Sequence, residues 1–123
     1  MAASVLTVCG AVSAQGRQPI STSMVECAAI YGELARIAER RGRDRADIRH
    51  ATDMSVRFAE AALRQAASEG KSGAQDHLST VFSETEQKWS GRFSNPMKLS
   101  DNKDWIDYCR ALGRDRGILA RPN

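Results

Sequence analysis

Apolar positions recur at helical spacing in four successive stretches of this chain. In the first, Cys27, Ile30, Tyr31, Leu34, Ile37 and Ala38 trace a single stripe. Ser23 followed by Glu26 has the form of a capping box that starts this helix. Gly42 marks its stop, behind Arg40 and Arg41, whose charges suit the negative helix end. The second stretch begins at Asp44 or Asp47 and runs to Glu69. It points Ile48, Ala51, Met54 or Ser55, Phe58, Ala62 and Ala66 inward, with Leu63 nearby. Its many alanines favour helix and allow a helical neighbour to approach closely. Gly70 ends it, and Lys71, Ser72 and Gly73 make a short turn.

A third helix, from about Gly73 to Ser90, carries the stripe Leu78, Val81, Phe82, Thr85 and Trp89, with Ser72 and Gln75 as a second capping box. Residues 91–99 form the longest expected loop. Asn95-Pro96 signals a turn there, and Phe93, Met97 and Leu99 are expected to fold back onto the core. The fourth helix starts near Ser100 or Asp101, turns Trp105, Tyr108, Cys109 and Leu112 inward, and stops at Gly113. Residues 114–123 read as a tail anchored by Ile118 and Leu119. Four helices with short connections predict an all-α fold, a small four-helix bundle-like domain. The organisation read from the sequence is a leader over residues 1–14, an extension over 15–22, and a single helical domain over 23–123.

Composition agrees with this picture. A chain of 123 residues suits one domain, and 41% hydrophobic with 27% charged residues is the balance of a folded globular protein rather than a disordered one. The leader changes the picture more. Residues 2–14 (AASVLTVCGAVSA) carry no charge and end in Val12, Ser13 and Ala14, which have the small or aliphatic character a signal peptidase accepts at −3 and −1. The run is too short to span a bilayer, which takes about 20 residues. Only Met1 precedes it, so the basic opening of a signal peptide is missing, as expected if the true start lies upstream. The leading expectation is a periplasmic or secreted protein. A lipoprotein signal is a weaker alternative, because Val8 fits poorly before Cys9 in Leu6-Thr7-Val8-Cys9. A buried N-terminal element of a cytosolic protein is another.

Cysteine arithmetic favours export. Of three cysteines, cleavage after Ala14 removes Cys9 and leaves the even pair Cys27 and Cys109, with 81 residues between them. In an oxidising compartment such a pair bridges, tying the first helix to the last. Tyr31 and Trp105 each lie four residues from a cysteine and are expected to pack around that bridge.

Signatures of catalysis are missing from the sequence. There is no C-x-x-C for redox exchange, no G-x-S-x-G, no phosphate-binding glycine loop and no zinc-ligand spacing. His50 and His77 fall on different helices, so no metal and no cofactor is expected, and the chain is not read as an enzyme. Tyr31, Trp89, Trp105 and Tyr108, with Phe93, are the candidate lining of a ligand pocket if they are not simply core. The net charge of +3 comes mainly from arginine, six between positions 36 and 49 and four between 110 and 121. Glu39, Asp44, Asp47 and Asp115 are interleaved with these, which is the pattern of a solvated helix surface rather than a nucleic-acid stripe.

The plan of a short helical domain with one long-range disulfide behind a leader is similar, in architecture only, to that of bacterial periplasmic acid-stress chaperones. The function expected from the sequence is therefore a noncatalytic, exported protein-binding or envelope-associated factor. Arg40, Arg41, Arg43, Arg45 and Arg49 are its expected contact surface. Two alternatives stand beside it: a small-ligand binder with an aromatic pocket, and a cytosolic helical regulator that contacts nucleic acid through residues 36–49.

Overall fold

The computed structural model describes residues 18–70 and 73–118. Among these residues lie four helices, α1 (Ile20–Arg40), α2 (Arg45–Ser68), α3 (Ala74–Phe93) and α4 (Leu99–Asp115), with a single 3-10 turn, Pro96–Lys98, between the last two. They form an all-α, bundle-like fold in which the Cys27–Cys109 disulfide joins the first helix to the last.

Helix α1 is the centre of the bundle. Every residue from Ser23 to Tyr31 is buried, so the helix is enclosed on all sides and not along one stripe. The composition explains it, since Glu26 is the only charged residue between Ile20 and Gly32. The helix begins three residues before the expected capping box. Pro19 supplies the first acceptor, its carbonyl receiving the amides of Thr22 (3.0 Å) and Ser23 (3.2 Å). The Ser21 amide and hydroxyl both donate to the Glu69 carboxylate at the far end of α2, at 3.1 and 2.7 Å. A carboxylate 48 residues away thus satisfies the positive end of α1. Ser23 and Glu26 sit inside the helix, where the Ser23 hydroxyl accepts from the Gln18 amide at 3.1 Å and Glu26 reaches across to α3.

Gly42 stops α1 as the sequence predicts. It adopts φ +66°, and the Arg43 amide closes back onto the Ala38 carbonyl at 2.9 Å. Helix α2 then packs antiparallel along α1 through Ala51, Met54, Phe58, Ala61, Ala62 and Ala66. Ser55 donates its hydroxyl to the Ala28 carbonyl at 2.7 Å and lies against Gly32, so small residues on both helices bring the backbones together. Leu63 does not join this face; it stays 39% exposed.

Helix α3 continues through Gly91 to Phe93, so residues 91–99 are not a loop. The reversal is confined to Ser94 and Asn95, where the Asn95 side chain accepts the Met97 amide at 3.0 Å and seeds the 3-10 turn. That tight turn leaves Met97 outside the core at 87% exposed, while Phe93 packs beside Trp89. Helix α4 likewise passes through Gly113, which is buried and helical; the stop is Gly117, at φ +68°. There the Ile118 amide donates to the Gly113 carbonyl at 2.8 Å, and the Ile118 side chain is buried as the apolar partner of the cap. The residues expected as a tail therefore belong partly to the helix and partly to the core. The leader, the Ser72 capping box, the Leu99 side chain and Leu119 lie outside the described residues.

Candidate functional site

The bridged cysteines have Cα atoms 5.5 Å apart, and neither side chain reaches solvent. Thiol exchange needs an attacking thiolate to reach a sulfur, so this burial makes the bond a structural tie. The aromatic residues singled out from the sequence do not form one group. Tyr31 stacks on Phe58 at 5.8 Å, towards α2. Trp89, Trp105 and Tyr108 form a separate chain of edge-on contacts, at 5.6 and 5.7 Å between ring centroids. Trp89 is fully buried, and Trp105 and Tyr31 nearly so; these rings fill space in the core.

Tyr31 carries a titration signature. Burial pushes its phenol above the ordinary value of 10.0, partly opposed by the nearby Arg110 and Arg114 of α4. A raised folded-state pKa means the folded protein holds this proton more tightly than the unfolded chain. Its contribution to stability is therefore complete below pH 10.0 and is lost as the pH climbs from there through the folded-state value. Tyr31→Phe is expected to flatten the alkaline limb of a stability-against-pH profile, measured by urea denaturation on both sides of pH 10.0. An unchanged limb would assign the alkaline loss to other groups.

Around Trp89 the structure assembles a polar cluster that sequence reasoning missed. The Glu26 carboxylate, 5% exposed, accepts hydrogen bonds from the Trp89 indole and from Lys88 Nζ, the latter at 2.7 Å. The Arg92 guanidinium lies 4.7 Å from the Trp89 ring centroid. Arg92 also donates to the buried Asn102 side chain at 3.3 Å, and Asn102 donates back to the Arg92 carbonyl at 3.1 Å. One carboxylate, one indole and one amide thus stitch α1, α3 and α4 together. Each polar group in this set has a partner, the hallmark of a network that fixes a fold. The signal was the lone charge of Glu26 in an otherwise uncharged helical run.

The five arginines of the expected contact surface, Arg40, Arg41, Arg43, Arg45 and Arg49, are all exposed at the corner where α1 gives way to α2. Arg43 pairs with Asp47 at 3.0 Å, and Asp44 and Glu39 share the corner, so the surface is mixed in charge. His50 and His77 are exposed on α2 and α3, and among the described residues no group of three His, Cys, Asp or Glu side chains could hold a metal. No described helix is long and apolar enough to cross a membrane.

A different feature offers an opening. Helices α2 and α3 both pack on α1 but diverge from one another, leaving a groove of about 430 Å³. Val25 of α1 is its floor. Ala59 and Leu63 of α2 form one wall, and Leu78 and Phe82 of α3 the other, with Gln75, Ser79, Ser83 and Glu86 along the α3 rim. Val56, 52% exposed, continues the α2 wall one turn beyond Ala59. Exposed large apolar side chains are few here, and two of them lie on this one stripe. Leu63 could have marked it, because it falls outside the inward face of its helix, but a lone surface leucine has no meaning until its neighbours are known. No family model matches the chain, and no curated protein or solved structure is significantly similar to it.

Proposed function

We propose that the protein is a noncatalytic binding module, working in the periplasm or outside the cell, whose α2–α3 groove receives an apolar helical segment of another protein. The groove carries this reading. Its apolar walls on two helices, with a polar rim along one side, form the receiving surface of helix-in-groove recognition. The scaffold behind it is held by a disulfide and by the Glu26 network, so the groove is formed before a partner arrives. The exported setting is supported by the uncharged residues 2–14 with their Val12, Ser13, Ala14 ending, and by the pairing of the two cysteines that would remain after cleavage there. The arginine corner adds a mixed-charge contact beyond the groove. Arg49 stands 14 positions before Leu63 on the same helix, about 21 Å away.

Site-directed photo-cross-linking in the native host tests the proposal. A photoreactive residue at Ser79, on the groove rim, is expected to trap one protein, while the same residue at exposed Asp104 of α4 traps none. Leu63→Asp or Phe82→Asp should cut the Ser79 adduct about tenfold or more, the equivalent of 1.4 kcal/mol. Equal trapping at Ser79 and Asp104, or an adduct indifferent to Phe82→Asp, would defeat the groove assignment. The intact mass of the same preparation should show loss of residues 1–14 and a deficit of two hydrogens. An uncleaved chain with three free thiols would sink the exported setting.

A further inference from the structure

A second opening shares none of its lining residues with the groove. Arg57, Glu60 and Arg64 of α2 form one side of it, and Arg116, Gly117 and Ile118, from the turn that ends α4, form the other. Its volume is 240 Å³, about eight times the 30 Å³ or so that one water molecule takes up in the liquid. Arg64, Arg116 and Ile118 also border an adjoining space of 300 Å³ that Met24, Ala61, Gln65 and Ser68 complete. Arg57 and Arg64 are seven positions apart, so they leave α2 on one flank, about 10.5 Å from each other along its axis. Arg116 joins them from α4, and all three side chains are exposed.

The groups that hold these arginines across the cleft are neutral. Arg57 donates to the Ile118 carbonyl at 3.3 Å, and Arg116 to the Gln65 side-chain oxygen at 3.5 Å. Neither acceptor cancels a charge. Arg116 has an ion pair with its neighbour Asp115 at 3.8 Å, but Asp115 is 79% exposed and is not part of the cleft wall. Among the described residues Arg64 has no hydrogen bond or ion pair. Glu60 follows Arg57 by three positions and precedes Arg64 by four, the spacings at which helical ion pairs form, yet it pairs with neither. Three guanidinium groups therefore share a confined space with one carboxylate. Guanidinium forks match the oxygens of a phosphate group, and a phosphomonoester brings three such oxygens with most of two negative charges. A cavity of this size admits one group of that kind and offers no track for a polyanion. We infer that the cleft between α2 and the end of α4 binds a phosphomonoester group, with Arg64 as its free ligand, Arg57 and Arg116 beside it, and Glu60 holding its affinity down. This site is independent of the groove.

Titration of the full chain, its disulfide intact, with inorganic phosphate tests this, followed through the arginine Nε–Hε resonances and set against sodium chloride at equal ionic strength. The signals of Arg57, Arg64 and Arg116 are expected to shift along one saturable curve with phosphate and not with chloride, while Arg45, exposed at the α1–α2 corner, stays still. Arg64→Ala should weaken binding about tenfold or more, and Arg64→Lys several-fold, because lysine keeps the charge and loses the fork. Glu60→Gln should tighten binding, since it removes the one carboxylate on the wall. All of these side chains are exposed, so the variants keep the fold. An equal response at Arg45, an equal response to chloride, or a Glu60→Gln variant no tighter than the parent would overturn the inference. Vesicles of phosphatidylcholine with and without phosphatidate separate the sources of the group. Sedimentation that needs both phosphatidate and Arg64 makes the ligand a lipid headgroup, and phosphate binding without sedimentation makes it a soluble phosphomonoester. Phosphatidate-dependent sedimentation that Arg64→Ala leaves unchanged, with no phosphate binding, would place anion recognition elsewhere and defeat this cleft.

Discussion

Reduction of the Cys27–Cys109 bond is expected to lower the unfolding free energy by about 4.5 kcal/mol, the value chain-entropy theory gives for closing a loop of this length. The bonded residues are 82 apart, so the loop contains all of α2 and α3 with most of the two helices it joins. A domain of this size is stable by about 5–15 kcal/mol, and losing 4.5 places the reduced form near the edge of folding. The loss should be uneven. Helices α1 and α2 share the largest interface and the Ala-rich face, whereas α4 meets the bundle through the bridge, the Trp89–Trp105 contact and the Arg92–Asn102 bonds. Amide exchange in reduced protein should therefore rise first and most in residues 99–115, with residues 20–68 keeping most of their protection. The Cys27→Ala, Cys109→Ala double variant should behave alike, which separates loss of the bond from an effect of the reductant. Uniform loss of protection along the chain would show that α4 and the α1–α2 pair fold as one unit.

The same comparison of helices explains what the sequence could and could not disclose. Helix number, order and the cysteine pairing follow from apolar periodicity and from where charges are missing. Gly42 is legible because a glycine behind two arginines closes a helix that has already lost its apolar stripe. Gly113 misleads because a glycine inside a helix and a glycine past its end are the same letter; only the burial of Ile118 shows that the chain continues to Gly117. Ser23 and Glu26 mislead for a related reason. Their spacing satisfies a local capping rule, but Gln18, five residues before Ser23, takes the serine, and the distant Lys88 and Trp89 indole take the glutamate. The groove was the least legible feature, because it is made by the divergence of two helices. No periodicity along either one encodes the space between them.

Trp89→Ala is expected to cost about 3–5 kcal/mol, the range for truncating a buried large aromatic residue. The residue is fully buried and lies where three helices meet: its ring contacts Trp105 and Phe93, carries Arg92 on its face, and its N–H donates to Glu26. Two different losses are combined in the alanine variant. One is packing, and the other is a buried carboxylate deprived of a donor. Trp89→Phe divides them, since it keeps most of the ring and removes the N–H. A cost of about 1–3 kcal/mol is expected for that variant, the penalty for leaving a buried polar group short of a partner. Glu26→Gln retains an acceptor for the indole while removing the charge that Lys88 faces, so it should fall below Trp89→Phe. Urea denaturation with near-ultraviolet dichroism checks the series, the latter reporting whether the Trp105 environment survives. If Trp89→Phe proves as mild as a surface change, Trp89 acts through the packing of its ring, and its bond to Glu26 is incidental to the fold.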